Sequence, residues 1–345
     1  MNMILLIGAY GDGSPTTSGQ IIRTCVTYDE LKKRYGEKRV LRVNTSLAGT
    51  HRLSFLVKLA AGLLRSKTIM VIVSSNGMRV LYPILEKASK LFGRKVLNSI
   101  VGGTVKSILE RQPECRGAMK SFAVNWVQLP TMIDELAAEG IYNSEVLPNS
   151  KPMAPVRAED IRMISEPPYR FCTFSRISRE KGVDAAIEAV KAVRGRGVKA
   201  ELDIYGQPDD GFREEFEEIM ASAPDYIRYC GVAPYDKTAE LLKDYYMLLF
   251  PTTFVGEGFP GTIVDALFAG LPVIATDWKH NAELIADGET GYVYDYHDKN
   301  ALAELIERAV SDPEGVYRMS VNCAKEAEKY SIDRVMDIIC ARIGD

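Results

Sequence analysis

The chain has 345 residues, 46% of them hydrophobic and 26% charged, which is ordinary for a globular protein. This length favours two domains of roughly 150 to 190 residues each. The six cysteines form no Cys-x-x-Cys pair and the three histidines are scattered, so neither a zinc-ligand pattern nor a disulfide framework is indicated. We therefore expect reduced thiols in a cytoplasmic protein.

The apolar runs of the sequence do not indicate export or a membrane span. The run over residues 3–9 lacks the charged leader and the cleavage site of a signal peptide. No run approaches the roughly 18 apolar residues that a spanning helix needs. These observations predict a cytoplasmic location, either free or peripheral on the inner face of the cytoplasmic membrane.

Charge is distributed unevenly. Residues 1–150 contain 20 Lys and Arg against 11 Asp and Glu, a net charge of +9, and residues 151–345 contain 23 against 35, a net charge of −12. A basic first part indicates an anionic partner. Two of its predicted helices, at 52–67 and 85–95, combine apolar residues with cations, so an anionic membrane surface fits better than a nucleic acid. An ordinary amphipathic helix on a sheet explains the same pattern.

Buried strands alternate with helices through residues 1–150. Strands are predicted at 3–9, 39–44, 68–74, 95–101, 123–128 and 144–148, and helices at 20–35, 53–64, 81–92 and 132–139. A loop over 10–19, rich in glycine and hydroxyl side chains, separates the first strand from the first helix. The alternation predicts an α/β domain with a parallel sheet between layers of helices.

A second domain of the same kind follows a linker with four prolines at 149–168. Its strands are predicted at 169–174, 201–205, 227–229, 247–250, 273–275 and 292–294, and its helices at 183–194, 212–221, 237–245, from 262, and at 301–311, with two more within 316–343. We place the domains at 1–155 and 165–328. Residues 329–345 are expected to form a helix that crosses back to the first domain.

The segment 257–276 combines a loop rich in glycine and proline, a short helix and a buried strand. The glycines and the proline let the backbone approach a ligand closely. The helix predicted from Thr262 has free N–H groups at its start, which favour an anion. With two carboxylates nearby, Glu257 and Asp265, the segment suits a phosphorylated sugar.

The same segment resembles the signature of the retaining glycosyltransferases of family 4, which is a Glu, seven residues and a second Glu, with Gly-Phe-Gly or Gly-Phe-Pro after the first. Glu257 and Asp265 stand in the two acidic positions, and the second is one methylene shorter than in the family. The resemblance implies two Rossmann-like domains that face each other across a cleft, the GT-B arrangement. A plain helix–strand connection of a doubly wound sheet is the alternative explanation.

The resemblance also implies what this motif binds. Glu257 would lie beside the donor sugar, backbone N–H groups after it would bind the diphosphate, and the second acid would bind the ribose hydroxyls. The residues of the motif expected at the donor are Gly258, Phe259, Pro260, Gly261, Thr262 and Asp265.

A basic segment, 175–182, follows the strand predicted at 169–174 and so lies at the carboxyl edge of the sheet, where ligands bind. In family 4 the matching Arg and Lys, here Arg176 and Lys181, hold the donor diphosphate. Fixed cations stabilise charge on the leaving oxygen more in the transition state than in the ground state. Taken alone, the segment is also explained as an exposed loop with solvated charges.

The resemblance implies further contacts by position. Gly206 and Val232 match places near the nucleotide, where main-chain groups hold the base, so side chains do not distinguish uracil from guanine. In the first domain, the loop with Gly11 and Gly13 resembles the family's mobile Gly-rich loop, which covers the donor diphosphate and faces the acceptor, so both glycines are expected at the donor. The residues expected on the acceptor side are His51, Gly102 and Gly103. A role as an ordinary surface residue also explains the histidine.

Together the resemblance implies a metal-independent, retaining transferase that moves a hexose from a nucleotide-diphosphate sugar and uses no cofactor. Arg176 and Lys181 would replace a metal cation, and the adjacent Asp209 and Asp210 indicate a turn rather than metal ligands. UDP is favoured over GDP by family frequency alone. The acceptor is expected to be a glycan or a lipid-linked sugar in surface-polysaccharide or glycolipid assembly, bound by the first domain, with the nucleotide sugar in the second.

Two other functions stay open. A nucleotide-sugar 2-epimerase shares the two-domain layout, but it needs a histidine in the cleft for proton abstraction, and the first domain has no histidine besides His51. A degenerate transferase that binds nucleotide without turnover is favoured by the shortened Asp265. The presence of Glu257, Arg176 and Lys181, other residues expected at the donor, argues against a degenerate transferase.

Overall fold

The computed structural model describes residues 3–11, 19–101, 105–151, 153–234 and 237–344. The chain divides into two compact units, one formed by Met1–Ser150 with Ile332–Asp345 and the other by Lys151–Ser331. We call them unit 1 and unit 2. Each contains a six-stranded parallel sheet.

Unit 1 alternates strands with helices. Its strands are β1 (Ile4–Gly8), β2 (Val40–Asn44), β3 (Thr68–Ile72), β4 (Lys95–Ser99), β5 (Val124–Val127) and β6 (Ser144–Val146). Its helices are α1 (Gly19–Tyr35), α2 (Arg52–Arg65), α3 (Ser75–Phe92), α4 (Val105–Arg111), α5 (Cys115–Ser121), α6 (Thr131–Ala138) and, from the end of the chain, α14 (Ile332–Ile343). The strand order is β2-β1-β3-β4-β5-β6.

The central strands of unit 1 are buried on both faces, as a parallel sheet requires. All five residues of β1 and of β3 are buried. On one face of the sheet, Ile4 and Leu6 belong to the same core cluster as Val335, Met336 and Ile339 of α14. Burying a side chain of this kind stabilises a fold by roughly 1.5 to 3 kcal/mol, so the apolar stripe of α14 holds this helix to unit 1.

Unit 2 repeats the plan. Its strands are β7 (Tyr169–Phe174), β8 (Ala200–Tyr205), β9 (Ile227–Tyr229), β10 (Met247–Phe250), β11 (Val273–Thr276) and β12 (Gly291–Tyr294). Its helices are α7 (Val183–Gly195), α8 (Arg213–Ala221), α9 (Thr238–Leu242), α10 (Gly261–Phe268), α11 (Asn281–Leu284), α12 (Ala301–Ser311) and α13 (Pro313–Ala327). The strand order is β12-β11-β10-β7-β8-β9, and the core contains Phe171, Leu202 and Ile204 from the central strands.

The predicted strands all occur, each within two residues of its predicted ends. The helices differ more. The sequence does not predict α4, α5 or α11, none of which exceeds seven residues, and it starts α3 at residue 81 rather than at Ser75 because the first turn, Ser-Asn-Gly, has the composition of a loop. None of the helices in the described ranges is long and apolar enough to cross a membrane.

Candidate active site

The sheet of unit 2 has a point at which its winding reverses. From β7 the chain moves outward to β8 and β9, then returns to β10 beside β7 and continues to β11 and β12 on the other side. In open parallel sheets the loops part at such a point, and ligands bind in the crevice outside the carboxyl ends of the strands. Because β7 ends at Phe174 and β10 at Phe250, the segments 175–182 and 251–260 line this crevice.

A buried ion pair joins these two segments. The Nζ atom of Lys181 lies 2.5 Å from Oε2 of Glu257, and the two side chains are only 10% and 9% exposed. The same carboxylate oxygen accepts a 3.1 Å hydrogen bond from Oγ1 of Thr252. Charges held away from water interact more strongly than charges on the surface. The attraction between Lys181 and Glu257 is therefore stronger than that of an exposed ion pair.

Close backbone contact positions the lysine. Gly182, the next residue, has a φ of +72°, and a Cβ there would lie 2.2 Å from the carbonyl oxygen of Pro251. The carbonyl of Glu180 accepts a 2.7 Å hydrogen bond from the N–H of Thr253. The loop after β7 is thereby fixed against the loop after β10, which brings Lys181 to its partner.

Arg176 is the second cation of the crevice, and it is much more exposed. Its Nη1 atom lies 3.3 Å from both carboxylate oxygens of Asp209, with 58% of the arginine side chain exposed. The guanidinium lies 5.4 Å from the ring centroid of Phe254, and the Nζ of Lys181 lies 4.9 Å from the same centroid. Because an exposed ion pair is worth little, an arriving anion can displace Asp209 at small cost.

The start of α10 lies beside the end of β7. Oγ1 of Thr262 donates a 2.8 Å hydrogen bond to the carbonyl oxygen of Phe174. Gly261 is the first helical residue, and Pro260 before it has extended backbone. The positive end of the helix dipole therefore lies at the same edge of the sheet as the two cations.

The residues between Glu257 and α10 are buried rather than open to the crevice. Gly258, Phe259 and Pro260 are all buried. The ring of Phe259 packs edge-on against Tyr330, with ring centroids 5.8 Å apart. The side chain of Phe259 thus contributes to packing, and its predicted role at the donor is confined to its backbone.

Asp265, the second acid of the motif, has partners inside unit 2. Nζ of Lys151 lies 2.9 Å from its Oδ1 and 3.0 Å from its Oδ2, and Oγ1 of Thr238 donates a 2.8 Å hydrogen bond to Oδ1. The residue is 4% exposed. Burial raises the pKa of this carboxyl, and the charge and hydrogen bond of Lys151 act against the rise. Because the carboxylate is almost inaccessible, the predicted ribose contact would require a local rearrangement.

Gly206 lies directly after β8, against the loop that carries Arg176. Its φ is +145°, and a Cβ there would lie 1.7 Å from the carbonyl oxygen of Ser175. Its N–H donates a 2.9 Å hydrogen bond to the carbonyl of Gly231, and Val232 follows with 65% of its surface exposed. A side chain at this point would push apart the loops that follow β7, β8 and β9.

Gly206→Ala is therefore expected to lower the free energy of unfolding by roughly 2 to 4 kcal/mol, from the strained φ and the overlap with the carbonyl. Urea denaturation measures this. Gly195→Ala is the matched control, because a Cβ at that helical position would meet no atom within 4 Å beyond its chain neighbours and its own helix backbone. It should leave stability unchanged or slightly higher. Equal stability of the two variants would contradict the role given to Gly206.

In unit 1 the structure describes only some of the residues predicted for the donor, Gly11 and Gly13, and for the acceptor, His51, Gly102 and Gly103. Gly11 follows β1 with a φ of +68°, whereas Gly13, Gly102 and Gly103 lie outside the described residues. His51 is exposed and immediately precedes α2, in the connection that leaves the carboxyl end of β2. The roles of these residues at the donor and the acceptor therefore stay predictions.

The sequence did not predict three residues that bond the two acids of the motif. Lys151 and Thr238 bond Asp265, and Thr252 bonds Glu257. Lys151 lies in the proline-rich linker, 114 positions from Asp265, and no pattern connects the two. The adjacent Asp209 and Asp210 each bind an arginine, Arg176 and Arg213. Within the described ranges, no group of three or more His, Cys, Asp or Glu residues could hold a metal ion.

A family model described as Glycosyl transferases group 1 matches residues 158–330, which is half of the chain. The chain belongs to the group 1 glycosyltransferases. The match includes Arg176, Lys181, Glu257 and Asp265, and it excludes every residue predicted for the acceptor side. The family assignment therefore concerns unit 2 and its crevice.

Two relatives each match less than half of this chain. The GtfA subunit of UDP-N-acetylglucosamine–peptide N-acetylglucosaminyltransferase from Streptococcus gordonii is 30% identical over 177 residues, 49% of this chain and 34% of that protein. The amylovoran biosynthesis glycosyltransferase AmsK of Erwinia amylovora is 26% identical over 145 residues, 41% of this chain and 36% of that protein. The matches span about a third of the length of these relatives.

Solved structures resemble the whole chain. The Anabaena protein HepE in complex with UDP has a TM-score of 0.72 at 15% identity, with 99% of each chain covered. Sucrose-phosphate synthase from Thermosynechococcus elongatus has a TM-score of 0.76 at 15% identity, covering 98% of this chain and 97% of that one. Identity this low establishes the fold alone. The prediction of an α/β chain with two Rossmann-like domains of the GT-B type is confirmed.

Proposed function

We propose that the chain is a retaining, metal-independent glycosyltransferase of family 4. It would move a hexose from a nucleotide-diphosphate sugar, UDP rather than GDP, to a glycan or a lipid-linked sugar. The observation that carries the proposal is the buried pair of Lys181 and Glu257, beside Arg176 and the start of α10 at the carboxyl edge of the unit 2 sheet.

The chemistry of transfer explains why these groups belong together. Breaking the bond between the sugar and the diphosphate leaves negative charge on the departing oxygen. Cations and a helix dipole that are fixed before the reaction stabilise this charge without reorganising. Lys181 and Arg176 supply the cations, so no metal ion is required for this step.

Donor binding also releases a carboxylate. When the diphosphate takes Lys181 as its partner, Glu257 becomes available to bond a sugar hydroxyl or to steady positive charge at the anomeric carbon. The acceptor hydroxyl attacks from the face that the diphosphate leaves, and its proton passes to the departing phosphate oxygen. This path retains the anomeric configuration and requires no protein base.

Similar proteins support the donor class and the setting. HepE has been solved with UDP and with UDP-glucose, and the pneumococcal O-GlcNAc transferase GtfA with UDP and GlcNAc. By their names, AmsK acts in amylovoran biosynthesis and CapM of Staphylococcus aureus in capsular polysaccharide biosynthesis. We extend the UDP-sugar donor and the assembly of a surface glycan to this chain as part of the proposal.

The engaged carboxylate of Asp265 favours a second candidate. An acid that is held by Lys151 and Thr238 does not contact the ribose without rearrangement. A protein in this state would bind nucleotide through Arg176 and Lys181 and fail to turn over. This binding module differs from the transferase in a single readout, the release of nucleotide from the nucleotide sugar.

Thermal unfolding with UDP, GDP, ADP and CMP tests the proposal. UDP at about one hundred times its Kd is expected to add about 2.7 kcal/mol of stability. The shift should persist in EDTA, fall sharply in Arg176→Ala, and stay unchanged in Arg179→Ala, a neighbouring cation that bonds Glu215 instead.

Three other outcomes would each contradict a different part of the proposal. Absence of a shift with any nucleotide contradicts the donor site. A shift that EDTA abolishes contradicts metal independence. A shift without release of UDP from any UDP-hexose, in the presence of glycan or lipid-linked acceptors, identifies the binding module.

A further inference from the structure

Helix α2 of unit 1 is apolar on two opposite faces. One face packs on the sheet through Phe55, Leu59 and Gly62, and a Cβ on this glycine would lie 2.8 Å from the side chain of Leu5. The opposite face carries five exposed apolar residues, Leu53, Leu56, Val57, Ala60 and Leu64. This spacing places them in one stripe along the helix. The stripe is the kind of surface that a partner normally covers.

Helix α3 extends the surface. The connections from β2 to β3 and from β3 to β4 run in the same direction along the sheet, so α2 and α3 lie on the same face of it. Nη2 of Arg94, just after α3, donates a 2.9 Å hydrogen bond to the carbonyl of Leu64, which joins the carboxyl ends of the two helices. Leu91 and Phe92 are 70% and 65% exposed. We call the exposed faces of α2 and α3, with residues 67, 94 and 95, the α2–α3 surface.

The charge of this surface is predominantly positive. Residues 52–95 contain nine cations and one acid, a net charge of +8. The cations are Arg52, Lys58, Arg65, Lys67, Arg79, Lys87, Lys90, Arg94 and Lys95. The acid, Glu86, pairs with a cation of the same helix, with its Oε1 2.6 Å from Nζ of Lys90. The apolar stripe thus lies among cations, and the segment contains too few carboxylates to neutralise them.

We propose that the α2–α3 surface rests on a lipid bilayer with anionic headgroups. Exposed leucines enter the boundary between headgroups and acyl chains while lysines and arginines bind the phosphates, as in helices that lie in the membrane interface. A second copy of the chain fits poorly, because a two-fold interface would bring two surfaces of charge +8 together. Exposed apolar residues grouped along one side of a helix, rather than scattered singly, are typical of a surface that meets another molecule.

The proposal has a consequence for the acceptor, which depends on the proposed function. His51 immediately precedes α2, at the carboxyl edge of the unit 1 sheet. A bilayer against α2 therefore borders the segment from which acceptor contacts are predicted. A lipid-linked sugar could reach this edge while its lipid stays in the membrane, which favours that acceptor over a soluble glycan.

Flotation of the full chain with vesicles tests the membrane contact without any sugar or nucleotide. We expect binding to phosphatidylcholine vesicles that contain about 30% phosphatidylglycerol, at least roughly ten-fold weaker binding to pure phosphatidylcholine, and loss of binding as salt approaches about 1 M. The pair Leu56→Asp with Leu64→Asp should weaken binding roughly ten-fold or more. The pair Lys58→Glu with Arg65→Glu should weaken it by a similar factor.

Matched controls keep the result specific. Tyr142→Asp replaces an exposed apolar residue of unit 1 outside the surface, with 82% of the tyrosine exposed, and Lys38→Glu reverses an exposed cation outside it. Both should bind vesicles like the parent chain. Because every substituted side chain is exposed, circular dichroism and Tm should match the parent in all variants.

The proposal is overturned by absence of flotation, by equal binding to neutral vesicles, or by indifference to the leucine and cation substitutions. Sedimentation that shows a dimer lost in Leu56→Asp with Leu64→Asp, without vesicle binding, assigns the surface to a second copy. None of these results bears on nucleotide binding, so failure here and failure of the proposed function are separate.

Discussion

Replacement of Lys181 with alanine is expected to lower kcat for sugar transfer about 10²- to 10³-fold, the loss found when one preorganised group that stabilises transition-state charge is removed. Its Nζ lies 2.5 Å from Oε2 of Glu257 and 4.9 Å from the ring centroid of Phe254, with 10% of the side chain exposed. An ammonium held in this way is fixed before the reaction, and water cannot replace it equally well. Release of UDP from a UDP-sugar, measured with and without acceptor, gives the rate.

Arg179→Ala is the matched control for this experiment. The arginine belongs to the same loop, but it is 64% exposed and pairs with Glu215. Its loss should change kcat by no more than roughly two-fold. Wild-type transfer by Lys181→Ala, or an equal loss in Arg179→Ala, contradicts the role of the lysine.

Removal of the lysine also leaves Glu257 buried without its cation, which destabilises the fold. Lys181→Ala combined with Glu257→Gln removes that unpaired charge. Glu257→Gln alone is the reference, because Glu257 is itself placed at the donor sugar. If the double variant regains the parent's Tm and transfers more slowly than Glu257→Gln, the further loss is due to the lysine rather than to unfolding.

Replacement of Lys151 with methionine is expected to lower the free energy of unfolding by about 3 to 5 kcal/mol, the cost of breaking a buried ion pair on one side. Both side chains are nearly inaccessible, at 10% for Lys151 and 5% for Asp265. The methionine leaves a carboxylate buried with one hydrogen bond, from Thr238. Denaturation in urea measures the loss.

The destabilisation should depend on pH with a definite sign. Burial raises the pKa of Asp265 and Lys151 opposes the rise, so the pKa rises further without the lysine. An acid whose folded pKa lies above its unfolded pKa binds protons more tightly when folded. Its contribution to stability is present below the unfolded pKa and is lost as pH rises through the folded pKa. The deficit of Lys151→Met should therefore be smaller at about pH 5 than at about pH 8.

Two variants control for the effect of the substitution itself. Lys151→Met with Asp265→Asn removes both charges, keeps an acceptor for Thr238, and should recover most of the stability. Lys191→Met breaks an exposed pair with Glu188 and should cost at most about 1 kcal/mol. A pH-independent deficit, or no recovery in the double variant, shows that Asp265 is not the group left unpaired.

Local sequence patterns predicted the strands because the central ones, such as β1 and β3, are buried along their whole length. The run Ile4–Gly8 is apolar throughout and could lie only inside a covered sheet. The short helices were missed for the converse reason. Cys115–Ser121 makes fewer than two full turns and is stabilised by packing on α3 rather than by its own propensity.

The candidate site divides in the same way. Lys181 and Glu257 were each predicted from the motif around them, but their mutual bond connects positions 76 residues apart. The close approach of Gly182 to Pro251, which the motif does not encode, brings them together. The partner of Asp265 was not predicted at all, because Lys151 lies in a linker without regular structure.

By itself the sequence determined the alternation of strands and helices, the basic first part and the acidic motif of a group 1 glycosyltransferase, since these depend on residue type and short spacing. Only the tertiary structure decided which carboxylate is held by Lys181 and which by Lys151. It also decided that one apolar face of α2 packs on the sheet while the other stays exposed. Burial and long-range pairing arise when distant segments pack, and no local pattern contains that information.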